Sequence, residues 1–213
     1  MKNIIESIRM AKSKGASYRL GPELEVCGYT CEDAFFEPDT VTHSWDVITQ
    51  ILEDPELTKD ILCDIGMPVE LNGVLYNCRV FILNQEVLLI RPKLHLAGGD
   101  NYREARWFRP WAVEDGYGTV EFELPESVRK VKDQKTTTFG NAIVKCNDTK
   151  IATEICEELW VGRNPHVDYC LAGVEIISNS SGSHHELRKL NFRRNMVVQA
   201  SGKHNCVYMY SNL

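Results

Sequence analysis

With 213 residues, 43% of them hydrophobic and 25% charged, the chain has the make-up of one globular domain with a substantial core, which excludes disordered and fibrous classes. The net charge of −6 gives no electrostatic reason to expect nucleic acid or an anionic membrane as partner, since the basic cluster Arg188, Lys189, Arg193 and Arg194 is local. No stretch approaches the roughly 18 consecutive apolar residues of a membrane span, and the amphipathic start has no secretory h-region, so the expected compartment is the cytoplasm.

Residues 3 to 14 place Ile4, Ile5, Ile8 and Ala11 on one helical face, with Gly15 as the expected C-cap. ASYRLGPELEVCGY then reads as a short buried strand running into a turn, because Pro22 disrupts a sheet interior and Gly28 punctuates the chain beyond it. Glu23 stands at the mouth of that strand. Val41, Trp45, Ile48, Ile51 and Leu52 repeat at helical spacing over residues 41 to 53, with Asp39 or Thr40 as cap. From 74 to 90, two apolar runs broken by Asn84-Gln85 predict a hairpin whose return strand delivers Lys93. The pattern recurs in AIVKCNDTKIATEIC, broken at Asn147-Asp148, and its return strand delivers Cys156.

The polar stretch from Glu114 to Lys135 is the expected surface excursion. GVEIISNSS is a near-continuous apolar run of the kind covered on both faces. A helix comes after it around 186 to 200, ending near Gly202, and NCVYMYSN closes the chain as a strand. Strands mixed with hairpins and helices predict an α/β sandwich, sheets inside and helices outside, without an internal domain boundary. The eight cysteines, at 27, 31, 63, 78, 146, 156, 170 and 206, are irregularly spaced and read as reduced thiols. Cys27 and Cys31 lack a second pair or a suitably spaced histidine, so no metal site is expected.

Three strand ends bring groups that amide cleavage needs: a carboxylate at Glu23, an ammonium at Lys93 and a thiol at Cys156. A thiol of ordinary pKa is mostly protonated at neutral pH, so a neighbouring carboxylate is a sensible base. A cationic lysine is expected to lower the thiol pKa further and to face the negative oxygen of a tetrahedral intermediate. Taken singly, each residue is commonplace, a buried cysteine being usually structural. No GxxxxGK[ST] or GxGxxG occurs, HHELRK lacks the second histidine of HExxH, and His184 and His185 read as polar loop residues.

GPELEVCGY, IRPKLHL and TEICEELW resemble, in order, the glutamate, lysine and cysteine motifs of the nitrilase (carbon–nitrogen hydrolase) superfamily. RLGPELEVCGY, NYREARWF, TTFGNAIV, TEICEELW and EIISNSSGSHH are similar to the glutaminase domain of its eukaryotic-type glutamine-dependent NAD synthetase branch, over nearly the whole chain. The resemblance implies an α-β-β-α sandwich in which Glu23 is the base, Lys93 the oxyanion partner and Cys156 the nucleophile, preceding two acids. Glu104 matches a second, supporting glutamate. Ser183 and Lys189 match substrate contacts, with Ser181 and Arg188 as rivals, and Tyr102 is a candidate wall of the glutamine pocket despite the uncertain register of residues 96 to 101. Backbone N–H from around Glu157 would complete the oxyanion hole.

The implied activity is glutamine hydrolysis through a Cys156 thioester, feeding ammonia to an ATP-dependent conversion of deamido-NAD to NAD. The implied partners are glutamine and a synthetase domain, fused or separate, in a homo-oligomer. The amidase domain itself needs no cofactor and no metal; ATP and Mg2+ belong to the synthetase domain. No SGGxDS segment is present, so that domain is expected to be absent from these residues. The sandwich is expected to be truncated at both ends, since the chain enters at a helix and stops at a strand, and to be an incompetent glutaminase alone. The alternatives are a free-standing hydrolase of another small amide or nitrile, and a catalytically silent remnant.

Overall fold

The computed structural model describes residues 1–99, 101–112 and 118–213. Helix α1 (Lys2–Ser13) buries Ile4 and Ile8 and ends with Gly15 at φ +74°, a conformation glycine adopts without steric cost. Strand β1 (Tyr18–Leu20) comes next. Helix α2 (Pro38–Glu53) starts earlier than its hydrophobic repeat, because Pro38 takes the first helical position where no amide is needed; neither Asp39 nor Thr40 caps it, and Thr40 Oγ1 donates instead to Ala34 O at 2.6 Å. After a short helix α3 (Pro55–Thr58) comes strand β2 (Leu62–Leu71), which no regular pattern in the sequence marks. Asp64, Gly66 and Pro68 interrupt its apolar run, yet the strand is buried on both faces over most of its length.

The expected hairpin forms as β3 (Val74–Leu83) and β4 (Glu86–Pro92), with Asn84 at φ +51° and Gln85 at +64°, the left-handed pair that matches strand twist. The 96 to 101 loop holds a two-stranded ribbon, β5 (Gly98–Gly99) and β6 (Tyr102–Arg103), with Asp100 outside the described residues, and leads into helix α4 (Glu104–Trp107). The polar stretch from Glu114 to Lys135 corrects the expected excursion: residues 113–117 lie outside the described residues, but Thr119–Glu123 is strand β7 and Glu126–Val131 is helix α5. Phe122, Leu124 and Val128 carry it into the core, because one apolar side chain per turn or pleat suffices to seat a short element.

Strand β8 (Thr136–Gly140) precedes the second hairpin, β9 (Val144–Lys145) and β10 (Lys150–Ile155). Helix α6 (Pro165–Leu171), β11 (Ile176–Ser181), α7 (Lys189–His204) and β12 (Val207–Asn212) complete the chain. Helix α7 runs past Gly202 and ends on Asn205 at φ +53°, asparagine serving as the left-handed cap in glycine's place.

One sheet has the order β1-β2-β3-β4-β8-β7 and the other β12-β11-β10-β9. The largest core cluster joins α1, α2 and α5 to the outer face of the first sheet, and a second joins Tyr169 and Cys170 of α6 to Ala152 and Ile177 of the other sheet. A third, with Phe81, Leu89 and Ile151, lies between the sheets, so the layers run α-β-β-α. Strand β1 is parallel to β2, while β2, β3 and β4 pair antiparallel in turn, so β1 and β4 point the same way; β10 and β11 are parallel to each other. The C-terminal ends of β1, β4, β10 and β11 therefore carry Glu23, Lys93, Cys156 and Ser181 respectively.

Candidate active site

Glu23 lies three residues beyond β1, in a loop gripped from both sheets. Arg79 of β3 donates to Pro22 O at 2.7 Å and Gly21 O at 2.9 Å, and Ser180 Oγ of β11 donates to Gly21 O at 2.7 Å. Leu24, immediately after it, sits at φ +49°. The fully buried Glu23 carboxylate accepts from Lys93 Nζ at 2.7 Å, Asn77 Nδ2 at 2.8 Å and the Gly182 amide at 2.8 Å.

Lys93, the residue after β4, is equally buried, and its Nζ reaches Glu104 Oε1 at 2.7 Å. Glu104 in turn accepts from Tyr29 OH at 2.7 Å and from the Ala97 amide at 3.0 Å. Burial alone would lower the lysine pKa, but Glu104 and Glu23 outweigh it and raise it, so the ammonium stays charged.

Cys156 comes directly after β10 at φ +44° and opens a single 3-10 turn, Cys156–Leu159. Only 3% of the residue is exposed. Burial pushes its thiol up to about 12, the charge of Glu23 adds to the rise, and Lys93 pulls against it. Lysine therefore acts in the expected direction, but the thiol is not acidified overall: removal from water and nearby carboxylates together exceed the effect of one ammonium. The resting group is a neutral thiol, and a base must take its proton during attack. Burial likewise raises the Glu23 carboxyl, to about 7, with Lys93 opposing.

A cleft of about 410 Å³ opens at Cys156, lined by Tyr102, Glu157, Ser183, Glu186 and Lys189 among others. Lys189 Nζ lies 5.7 Å from the centre of the Tyr102 ring and donates to Glu186 at 2.6 Å. Arg188 also lines the cleft, at φ +69°. Ser181 is fully buried, with its carbonyl accepting from the Glu23 amide at 3.4 Å. His184 departs from a plain loop residue: its ring packs 4.7 Å from Tyr102 and 6.3 Å from Tyr29, and its amide donates to Tyr102 OH at 2.9 Å. His185 is exposed.

Asn77, Tyr29, Arg91 and Glu158 belong to the site or its frame without having been expected there from sequence. Asn77 and Arg91 were signalled as polar residues inside apolar strands, and Glu158 as the second acid after the cysteine. Tyr29 carries no local signal, since only folding brings it to Glu104.

A family model described as carbon-nitrogen hydrolase matches residues 1–212. The chain is 52% identical over 212 residues to a glutamine-dependent NAD(+) synthetase from Dictyostelium discoideum, covering 100% of this chain and 30% of that protein. The crystal structure of a glutamine-dependent NAD(+) synthetase from Cytophaga hutchinsonii superposes with a TM-score of 0.83 at 27% identity, over 100% of this chain and 32% of that one. An amidase from Nesterenkonia sp. shares the fold at a TM-score of 0.73 and 13% identity, over 99% of this chain and 68% of that one. The chain thus spans about a third or less of the synthetases it matches.

Proposed function

Since the chain belongs to the carbon–nitrogen hydrolase family, we propose that it is the glutaminase part of a glutamine-dependent NAD synthetase, releasing ammonia from the glutamine side chain through a thioester on Cys156. The observation that carries this reading is the convergence of Glu23, Lys93 and Glu104 in one buried hydrogen-bonded set whose charges act on the Cys156 thiol at the head of a cleft.

Glu23 takes the thiol proton as Sγ attacks the carboxamide carbon, and the carbonyl electrons move to oxygen. Lys93 and backbone N–H groups around Glu157 stabilise that oxyanion. Glu23 returns the proton to nitrogen as the C–N bond breaks, and ammonia leaves. A water molecule then loses a proton to Glu23, attacks the thioester and expels the sulfur, which is reprotonated as glutamate departs. The zwitterionic end of glutamine is complemented by the Glu157 and Glu186 carboxylates and the Lys189 ammonium, beside Tyr102 and Ser183. In the whole protein the ammonia serves an ATP-dependent synthetase domain that converts deamido-NAD to NAD; what supports this reading is that the similar proteins are NAD(+) synthetases that depend on glutamine.

In the full-length natural protein, Cys156→Ala abolishes NAD formation from glutamine and spares formation from added ammonium, because only the nucleophile is lost. Equal loss with both nitrogen donors would assign Cys156 to folding or to another step.

A further inference from the structure

Glu158 stands two residues beyond the nucleophile, and Arg91 two residues before the lysine. Both side chains are fully buried. Arg91 Nη1 donates to both Glu158 carboxylate oxygens, at 2.7 and 2.6 Å. The same carboxylate also accepts two backbone amides. Its Oε1 takes the Leu94 amide, in the peptide next to Lys93, and its Oε2 takes at 2.7 Å the amide of Ile155, the residue before Cys156. One carboxylate thus ties the end of β4 in the first sheet to the end of β10 in the second.

A buried ion pair is weak evidence for stability, because desolvating two charges offsets most of their attraction, and an apolar pair of similar volume often does as well. What an apolar pair cannot do is accept two amides from two sheets. The positive φ of Cys156 supplies the need for such a brace. A non-glycine residue in that region is strained by about 1–3 kcal/mol and persists only where its surroundings over-determine it. Glu158 holds the amide before the elbow, and Asn179 Nδ2 donates to the Cys156 carbonyl after it at 3.4 Å. Arg91 is steadied by Tyr169 OH at 3.1 Å, which anchors the bracket on α6.

We propose that Glu158, held by Arg91, is a positioning residue that sets the Cys156 thiol relative to the Lys93 ammonium across the two sheets. It touches no reacting atom and acts through the two backbone amides. The inference rests on Cys156 being the nucleophile, the premise of the glutaminase reading, but not on which amide is hydrolysed.

The test uses the full-length protein carrying Glu158→Gln, and a second variant, Arg91→Met with Glu158→Gln, which leaves no unpaired buried charge. For each, glutamine kcat and KM, the melting temperature, and the rate of Cys156 alkylation by iodoacetamide, located by peptide mass spectrometry, are compared with the wild type. In both variants kcat falls about 100-fold, the penalty of displacing a reacting group by about an ångström, while KM stays within about threefold. Alkylation of Cys156 changes in parallel, and the double variant recovers the melting temperature without recovering kcat. Wild-type kcat and alkylation rate in either folded variant would overturn the proposal, and the double variant alone decides should the single one not fold. A wild type inert to glutamine would overturn the glutaminase reading only, since the alkylation comparison still judges the bracket.

Discussion

Lys93 Nζ stands between two buried carboxylates, 2.7 Å from Glu23 and 2.7 Å from Glu104, so it separates charges in addition to the oxyanion role proposed for it. Lys93→Met therefore has two expected effects in the full-length protein. Glutamine turnover falls by a factor of about 10²–10³ from the lost oxyanion partner. Stability falls by about 3–5 kcal/mol, because two buried carboxylates are left without their cation. Denaturant midpoints and kcat check both, and an unchanged midpoint would mean that a carboxyl takes up a proton at little cost. In the proposed mechanism Glu23 must be ionised to accept the thiol proton, and burial raises it to about 7. Accordingly kcat/KM for glutamine climbs as pH rises through about 7 and is lost below, with no alkaline limb from Lys93, whose pKa moves upward. A limb in the ordinary carboxylate range would place the base in a solvated position.

At the scale of elements, the Glu23 loop is held by a strand pair. Arg79 of β3 is paired with Asp64 of β2 at 2.6 Å while its other nitrogens hold the Gly21 and Pro22 carbonyls. Gly66 of β2 leaves room for this crossing: a Cβ there would lie 2.4 Å from Arg79 Nη1, 2.5 Å from Leu24 N and 2.7 Å from Pro22 O. Two of these are backbone atoms that cannot swing aside. Gly66→Ala is expected to cost about 1–3 kcal/mol as an overpacking change, and to lower glutamine turnover because the loop it displaces carries Glu23. Gly162, exposed and with no atom within 4 Å of such a Cβ, is the control, and its alanine variant stays within about 0.5 kcal/mol. Equal melting temperatures and activities for the two variants would contradict a packing role for Gly66.

Across the whole molecule, burial sets the alkaline limit of stability. Cys27, Cys63 and Cys156 are free thiols pushed up to about 12 by burial, and Cys78 is raised by the same cause. Tyr169 is pushed up to about 12, and Tyr18 and Tyr208 are raised, burial again leading. Unfolded thiols ionise from about 9 while the folded ones keep their protons, so this stabilisation is whole below 9 and is lost as pH rises toward 12. For a fully buried thiol the loss is about 1.4 kcal/mol per pH unit in that window. Urea midpoints measured from pH 8 to 11 should fall progressively, and a flat series to pH 11 would show that solvent reaches these thiols in the native state.

The sequence by itself determined what depends on neighbours along the chain. The helical repeat of α1, the left-handed turn at Asn84-Gln85, and the order in which Glu23, Lys93 and Cys156 come after their strands are all local features, set by side-chain period and backbone sterics. Strand β2 was hidden because Asp64, Gly66 and Pro68 break its apolar pattern, and only the Arg79 crossing explains the first two. Strand β7 and helix α5 were hidden because their few core side chains are spread among charges. Only the tertiary structure brought Tyr29 to Glu104 across 75 positions and Glu158 to Arg91 across 67. It also decided the protonation of the site: the thiol rises rather than falls because exclusion of water, which no local pattern encodes, outweighs one adjacent cation.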